Sequence, residues 1–514
     1  MGTSSRFYPN LYKDSVSLMT VSARVTSIPG IESASVVMAS ATNVDNLAQA
    51  GLGTFEIRPN DLVVAVAGTE EACDEALAVA DKLLSASGDG GDDATVTAPT
   101  TSIQMAVAKD PSLTLALISV PGDYAAAEAM KALRLGLDVM VFSDNVSPQA
   151  ELALKEYARE ADLMVMGPDC GTSIVNGVPL GFANVVRRGP IGVVGASGTG
   201  TQEVTVRIHQ NGSGVSQALG TGGHDLSDAI GGISMLHGLA ALDSDPATTV
   251  IVLVSKPPSA AVAAKVLDAA RASHKPVVVI FLGADPTSIT SDGVYGAAYL
   301  AQAADMAVEL ARGDQPSSAE IAISSEMRGA LYDLADAMTL DQMYVRGIFS
   351  GGTFCYEAQL VHRAHGITAH SNTPVAGNEA LTDIRTSRQH TIIDMGDDEF
   401  TQGRAHPMID PSQKDARIRD EIADPTTAVV LFDVVLGYGS ADDPTAELLS
   451  IISAARAEGM TVAFIGYVCG TDLDPQDRAK AVAGLQSAGV LVAASNAEAA
   501  LWSATLIAAR GGDR

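Results

Sequence analysis

Short unbroken apolar runs alternate along this chain with segments whose apolar residues recur at helical spacing. Residues 113–120 are apolar and end at Pro121-Gly122, 124–135 repeat at helical spacing, 138–142 are apolar again, 149–160 return to the helical period, and 163–166 are apolar. Regular alternation of this kind predicts a parallel, doubly wound sheet, a Rossmann-like unit. Strands are expected at 191–194, 249–254 and 276–282 in a following unit, and at 344–349, 428–433 and 461–465 in a last one. Ahead of all these, helices over 14–25 and 70–84 and strands at 34–39 and 62–67 make a small α+β unit of ferredoxin-like or ACT-like type. The stretch 85–100 (SASGDGGDDATVTAPT) reads as a linker. The expected division is therefore 1–88, a small α+β domain; 100–188, a Rossmann-like domain; 189–315, a flavodoxin-like domain; and 340–514, a second flavodoxin-like domain.

The last two units look like each other. Ile191-Gly192-Val193-Val194-Gly195-Ala196-Ser197-Gly198-Thr199-Gly200 has a counterpart in Val345-Arg346-Gly347-Ile348-Phe349-Ser350-Gly351-Gly352-Thr353-Phe354. Asp245-Pro246 precedes one apolar strand as Asp424-Pro425 precedes the other. The pattern is that of a duplicated flavodoxin-like pair whose second copy carries an irregular insertion over 362–390.

Composition narrows the classes. Of 514 residues, 47% are hydrophobic and only 4% aromatic, which suits buried parallel strands against Ala-rich helices. No apolar run reaches the roughly 18 residues of a membrane span, and the first residues lack the basic-then-apolar order of a secretory signal. A cytoplasmic protein is expected. The four cysteines, Cys73, Cys170, Cys355 and Cys469, have neither disulfide nor zinc spacing, and Cys170 reads as a packing residue. A formal charge of −29 opposes nucleic-acid binding. Any anionic substrate must then be held by a local nest of N–H groups, because the overall field repels it.

Such nests are visible. Ser197-Gly198-Thr199-Gly200 follows an apolar strand and opens a helix, so N–H groups, hydroxyls and the helix dipole converge on one spot. Ser350-Gly351-Gly352-Thr353 repeats it, and two facing nests could hold one phosphate. A second signal runs from Asp394 and Gly396 to Arg404 and His406. Arg404 could pair with a carboxylate or phosphate, and His406 could polarise a carbonyl or move a proton. Asp394, Asp397 and Asp398 are a weaker candidate set for Mg²⁺, and a solvated loop is the alternative for the whole stretch. Gly222, Gly223 and His224 are a third candidate binding turn, next to Asp225, which is either a helix cap or part of the chemistry. Lys256, at a strand end, either reaches an anion or closes a turn.

These residues resemble a known family. Gly167-Pro168-Asp169-Cys170-Gly171, the turn at 195–200 and Gly220-Thr221-Gly222-Gly223-His224-Asp225 look like the α subunit of succinyl-CoA synthetase, and the last domain resembles the carboxy-terminal domain of its β subunit. Closer is the FdrA family, through Asp14-Ser15-Val16-Ser17-Leu18-Met19, Phe142-Ser143-Asp144-Asn145-Val146, Val254-Ser255-Lys256-Pro257-Pro258 and His406-Pro407-Met408-Ile409-Asp410-Pro411, a similarity that covers nearly the whole chain. The synthetase resemblance implies a Gly-rich CoA turn and a phosphorylated histidine. This chain has no glycine over 102–109 and no histidine over 287–311, so CoA is not expected as a cofactor. The FdrA resemblance implies a subunit of a heteromeric oxamate carbamoyltransferase of purine and allantoin breakdown. It would work with a large companion subunit on carbamoyl phosphate and oxamate, or on oxalurate and phosphate in the catabolic direction. Alternatives are an ADP-forming acyl-CoA synthetase subunit and a non-catalytic regulatory or scaffold subunit.

Overall fold

The computed structural model describes residues 2–86 apart from 10, 12, 14, 40, 56, 59 and 60, then 100–317, 320–401 and 404–511. Most of the expected linker lies outside the described residues. The chain is a mixed α/β protein built on four sheets. The first is three-stranded and antiparallel, in the order Gly2–Tyr8, Leu62–Gly68, Ile31–Met38. The second, Leu115–Ile118, Asp138–Val141 and Val165–Met166, is parallel. Val139 and Val141 face the helices Gly122–Arg134 and Pro148–Ala161, while Met140 turns to the following unit. A fully buried ion cluster fixes that contact: Lys155 donates to Glu151 at 2.7 Å, to Asp225 at 2.8 Å and to the Thr221 carbonyl at 2.9 Å.

The two large sheets share a topology. One runs Val294–Gly296, Val277–Phe281, Val250–Ser255, Arg188–Gly195, Val215–Gly220, Thr172–Val175, Val178–Gly181. The other runs Glu379–Ala380, His370–Ser371, Thr391–Asp394, Tyr344–Phe349, Thr427–Val435, Ala463–Cys469, Val490–Ala493. With the two short strands of the 362–390 insertion, His370–Ser371 and Glu379–Ala380, set aside, the first strand of each repeat lies between the second and the third, the 2-1-3-4-5 order of flavodoxin-like sheets. That order reverses direction at the first strand, so the loops after Gly195 and Phe349 open at the switch point where ligands of such sheets sit. The hairpin Thr172–Val175/Val178–Gly181, which lies within the stretch expected as Rossmann-like, pairs antiparallel onto the first large sheet. Its turn, Asn176-Gly177, has both residues at positive φ.

One apolar cluster runs through both large units, from Val193, Val204 and Ile280 to Phe354, Leu431 and Ala497. At its centre the helices Gly198–Gln210 and Gly352–Ala364 pack together, flanked by Leu300–Arg312 and Asn496–Gly511. Two buried carboxyls cross this interface. Glu203 accepts the Asn496 N–H at 3.1 Å and Glu357 accepts the Leu300 N–H at 2.9 Å, so each unit caps the last helix of the other. The Asn496 side chain donates to Glu357 at 2.8 Å.

Burial pushes Glu357 up to about 7, and raises Glu203 as well, with Glu357 the next contribution. A folded-state pKa above the unfolded one contributes stability that is complete below the ordinary value of 4.5 and lost as pH climbs through about 7. Thermal denaturation from about pH 5 to 8 should therefore show a falling midpoint. Glu357→Gln should flatten that fall and gain on the order of 2 kcal/mol at the alkaline end. An unchanged slope would refute the assignment. No helix among the described residues is long and apolar enough to cross a membrane.

Candidate functional site

The two glycine-rich turns face each other. Ser197 caps its helix by accepting the Gly200 N–H at 3.1 Å, and its Oγ lies 2.6 Å from Thr353 Oγ1 of the second helix. The glycines let the turns come this close: a Cβ on Gly351 would sit 2.7 Å from Thr199 Cγ2, and one on Gly200 3.2 Å from Thr353 Cγ2. The first N–H groups of both helices, at Gly198, Thr199, Gly352 and Thr353, have no intrahelical acceptor. The space between them is positive from both sides.

The second turn differs from the first in one respect that the sequence does not reveal. Asp433, from the adjacent strand, accepts the Ser350 N–H at 2.9 Å and the Gly351 N–H at 2.9 Å. Lys414 donates to Asp433 Oδ1 at 2.6 Å and to Ser350 Oγ at 2.9 Å, all three side chains being buried. The expectation that Ser350 and Gly351 hold the ligand phosphate is thus corrected: a carboxylate of the chain itself already occupies those donors. Gly352 and Thr353 remain open toward the first turn.

Asp394 ends its strand at this place. Its Oδ1 accepts the Gly396 N–H at 2.9 Å, and its Oδ2 is turned to Gly352, where a Cβ would stand 2.4 Å from Oδ2 and 3.6 Å from Lys256 Nζ. Burial lifts the Asp394 carboxyl to about 7, against the opposing pull of Lys256. Lys256 is exposed and reaches over the mouth, with Tyr356 5.8 Å from its ammonium.

His406 lies on the other side of Gly396, where a Cβ would be 2.6 Å from its Nε2 and from the Ser350 carbonyl. Burial depresses its pKa to about 4, so it is neutral, and its Nδ1 accepts the Met408 N–H at 3.2 Å. The proton of the neutral ring must then be on Nε2, which makes His406 a hydrogen-bond donor at this place. Its ring packs on Phe182 at 5.6 Å.

Arg404 stands apart: it is exposed and donates to Gln413 at 2.8 Å. Gly222 approaches so closely that a Cβ would be 2.1 Å from the Pro168 carbonyl, and Gly223 lies beside Asp169. His224 is exposed. Asp225 is a cap, accepting the Ser234 N–H at 3.1 Å and the Met235 N–H at 2.8 Å. Asp169, part of the synthetase-like motif at 167–171, is pushed up to about 6 by burial and then by Asp144, with His224 and Lys256 both within electrostatic reach. Cys170 is buried and its thiol pushed up to about 11. Among the described residues, no group of three or more His, Cys, Asp or Glu is placed to hold a metal ion.

Comparison with known proteins fits this architecture. A CoA-ligase family model matches residues 348–506, and a CoA-binding-domain model matches 186–283. The two large units are therefore of acyl-CoA synthetase type, and the expectation that CoA plays no part finds no support in these matches. Residues 1–99 match a model described as AllF, heavy metal-associated domain. Over 508 residues the chain is 43% identical to the YahF protein of Escherichia coli K12, a match covering 97% of each. The chain belongs to the YahF family. It is also 27% identical over 154 residues to the α subunit of ADP-forming succinate–CoA ligase from Aquifex aeolicus, covering 29% of this chain and 49% of that one. Among solved structures, ATP citrate lyase from Methanothrix soehngenii, in complex with citrate and coenzyme A, is 20% identical over 45% of each chain, with a TM-score of 0.35.

Proposed function

We propose that this chain is a subunit of an acid–CoA ligase-like enzyme and handles an acyl phosphate between the two helix ends. The observation that carries this reading is the 2.6 Å approach of Ser197 to Thr353, which aims the open N–H groups of two helices at one volume. A tetrahedral dianion there would accept hydrogen bonds from both turns and meet Lys256 at the mouth. The CoA-ligase match over 348–506 supports the same chemistry. Asp433 limits the site to one phosphoryl group, because its carboxylate fills the second position.

Within that class, the FdrA resemblance and the AllF-type match of the first 99 residues favour a narrower reading. The acyl phosphate would be carbamoyl phosphate, exchanged with oxamate in a carbamoyltransferase complex of purine breakdown that includes a large companion subunit. The neutral His406 would offer its Nε2–H to the carbonyl of the acyl group. A complex isolated with its natural partners should be assayed in two ways. CoA-dependent ATP turnover identifies the ligase, and carbamoyl phosphate formed from oxalurate and phosphate identifies the transferase. Neither activity, with turnover elsewhere in the complex unchanged by Ser197→Ala and Thr353→Ala, would reduce this chain to a scaffold and end both readings.

A further inference from the structure

An acyl-phosphate site of this type either passes its phosphoryl group directly to an acceptor or parks it on the protein. The groups around the paired turns can be compared as acceptors. Ser197 and Thr353 hydroxyls are engaged with each other. Both oxygens of Asp433 are taken by N–H groups of Ser350 and Gly351, and Oδ1 also by Lys414. His406 presents Nε2 with its proton attached, and a protonated ring nitrogen has no lone pair to give. Asp394 is different. Its Oδ1 is held by Gly396, while its Oδ2 takes no hydrogen bond among the described residues and points at the end of the helix Gly352–Ala364, with Lys256 beside it.

We infer that Asp394 is a catalytic nucleophile that accepts the phosphoryl group, a role that rests on the acyl-phosphate reading above. Oδ2 attacks phosphorus, the P–O bond to the acyl group breaks, and the acid leaves as its carboxylate. Charge and protons balance without a base, since one mixed anhydride is exchanged for another. The Gly352 and Thr353 N–H groups and Lys256 neutralise the phosphoryl oxygens during transfer.

The test uses the full chain, alone and with its co-purifying partners, incubated with ³²P-acetyl phosphate and quenched in acid. The expected label is stable in acid, released by neutral hydroxylamine, and mapped to Asp394 by borohydride reduction to homoserine. Asp394→Asn should lose the label while still binding ³²P-phosphate in equilibrium dialysis, and Asp333→Asn, at an exposed position of the helix Ser325–Ala337, should keep both. Should Asp394→Asn fail to fold, the homoserine map on the unaltered chain decides. A chain that binds phosphate without labelling, or that labels elsewhere, overturns the inference and leaves the acyl-phosphate reading standing. A chain that binds no phosphate overturns both.

Discussion

Lys414→Met is expected to destabilise the protein by about 3–5 kcal/mol, the usual consequence of stranding one partner of a buried ion pair. The stranded group is Asp433, fully buried and left with only the Ser350 and Gly351 N–H groups against its charge. Adding Asp433→Asn should restore part of the loss, because the neutral amide keeps an acceptor for those N–H groups and no longer needs a cation. Urea denaturation of the two single variants and the double variant measures the coupling. Additive losses would mean that the pair does not act as a unit. The loss should also appear in binding, since Lys414 and Asp433 together set where the Ser350 turn stands relative to Ser197.

Gly352→Ala should weaken phosphate binding and turnover by about 100-fold or more, the scale on which the removal of one preorganised donor is felt. The added methyl would sit 2.4 Å from Asp394 Oδ2, so either the carboxyl or the helix end must move out of the shared volume. Nothing about helix geometry forbids alanine there, so the fold should persist. Gly329→Ala is the control: it lies within the helix Ser325–Ala337 with nothing within 4 Å of the new atom. It should leave binding intact and raise stability by about 0.5–1 kcal/mol. Calorimetric titration with phosphate separates the two, and equal binding by both variants would remove Gly352 from the site.

Much of this architecture is legible in the sequence. The parallel strands are continuous apolar runs, and Tyr344–Phe349 is found where its pattern predicts it. Glycines cluster where two turns must touch. The strand Gly2–Tyr8 escaped because it lies at a sheet edge and keeps its polar residues exposed. The hairpin at 172–181 carried a readable signal in Asn176-Gly177, obscured by the strand–helix alternation around it. Asp433 and Lys414 gave none. Asp433 follows Ser350 by 83 residues, and Lys414 looks like any lysine of a polar helix until the fold buries it. Glu203 and Glu357 could have been found from the duplication, for each is the sixth residue of the helix that its turn opens. Arg404 was attractive for its neighbours in sequence, but its side chain leads away from them.

The exchanged caps bear on how the chain is made. A ribosome completes Leu300 57 residues before it reaches Glu357, and Glu203 must wait 293 residues for Asn496. The earlier half therefore emerges with a helix start unanswered and a carboxyl inside that has no amide to meet. It can settle fully only when the later half arrives and supplies both. Cut in the connection between Arg312 and Ser325, the polypeptide should behave as two pieces that need each other, recovering the native state when mixed rather than as separate modules.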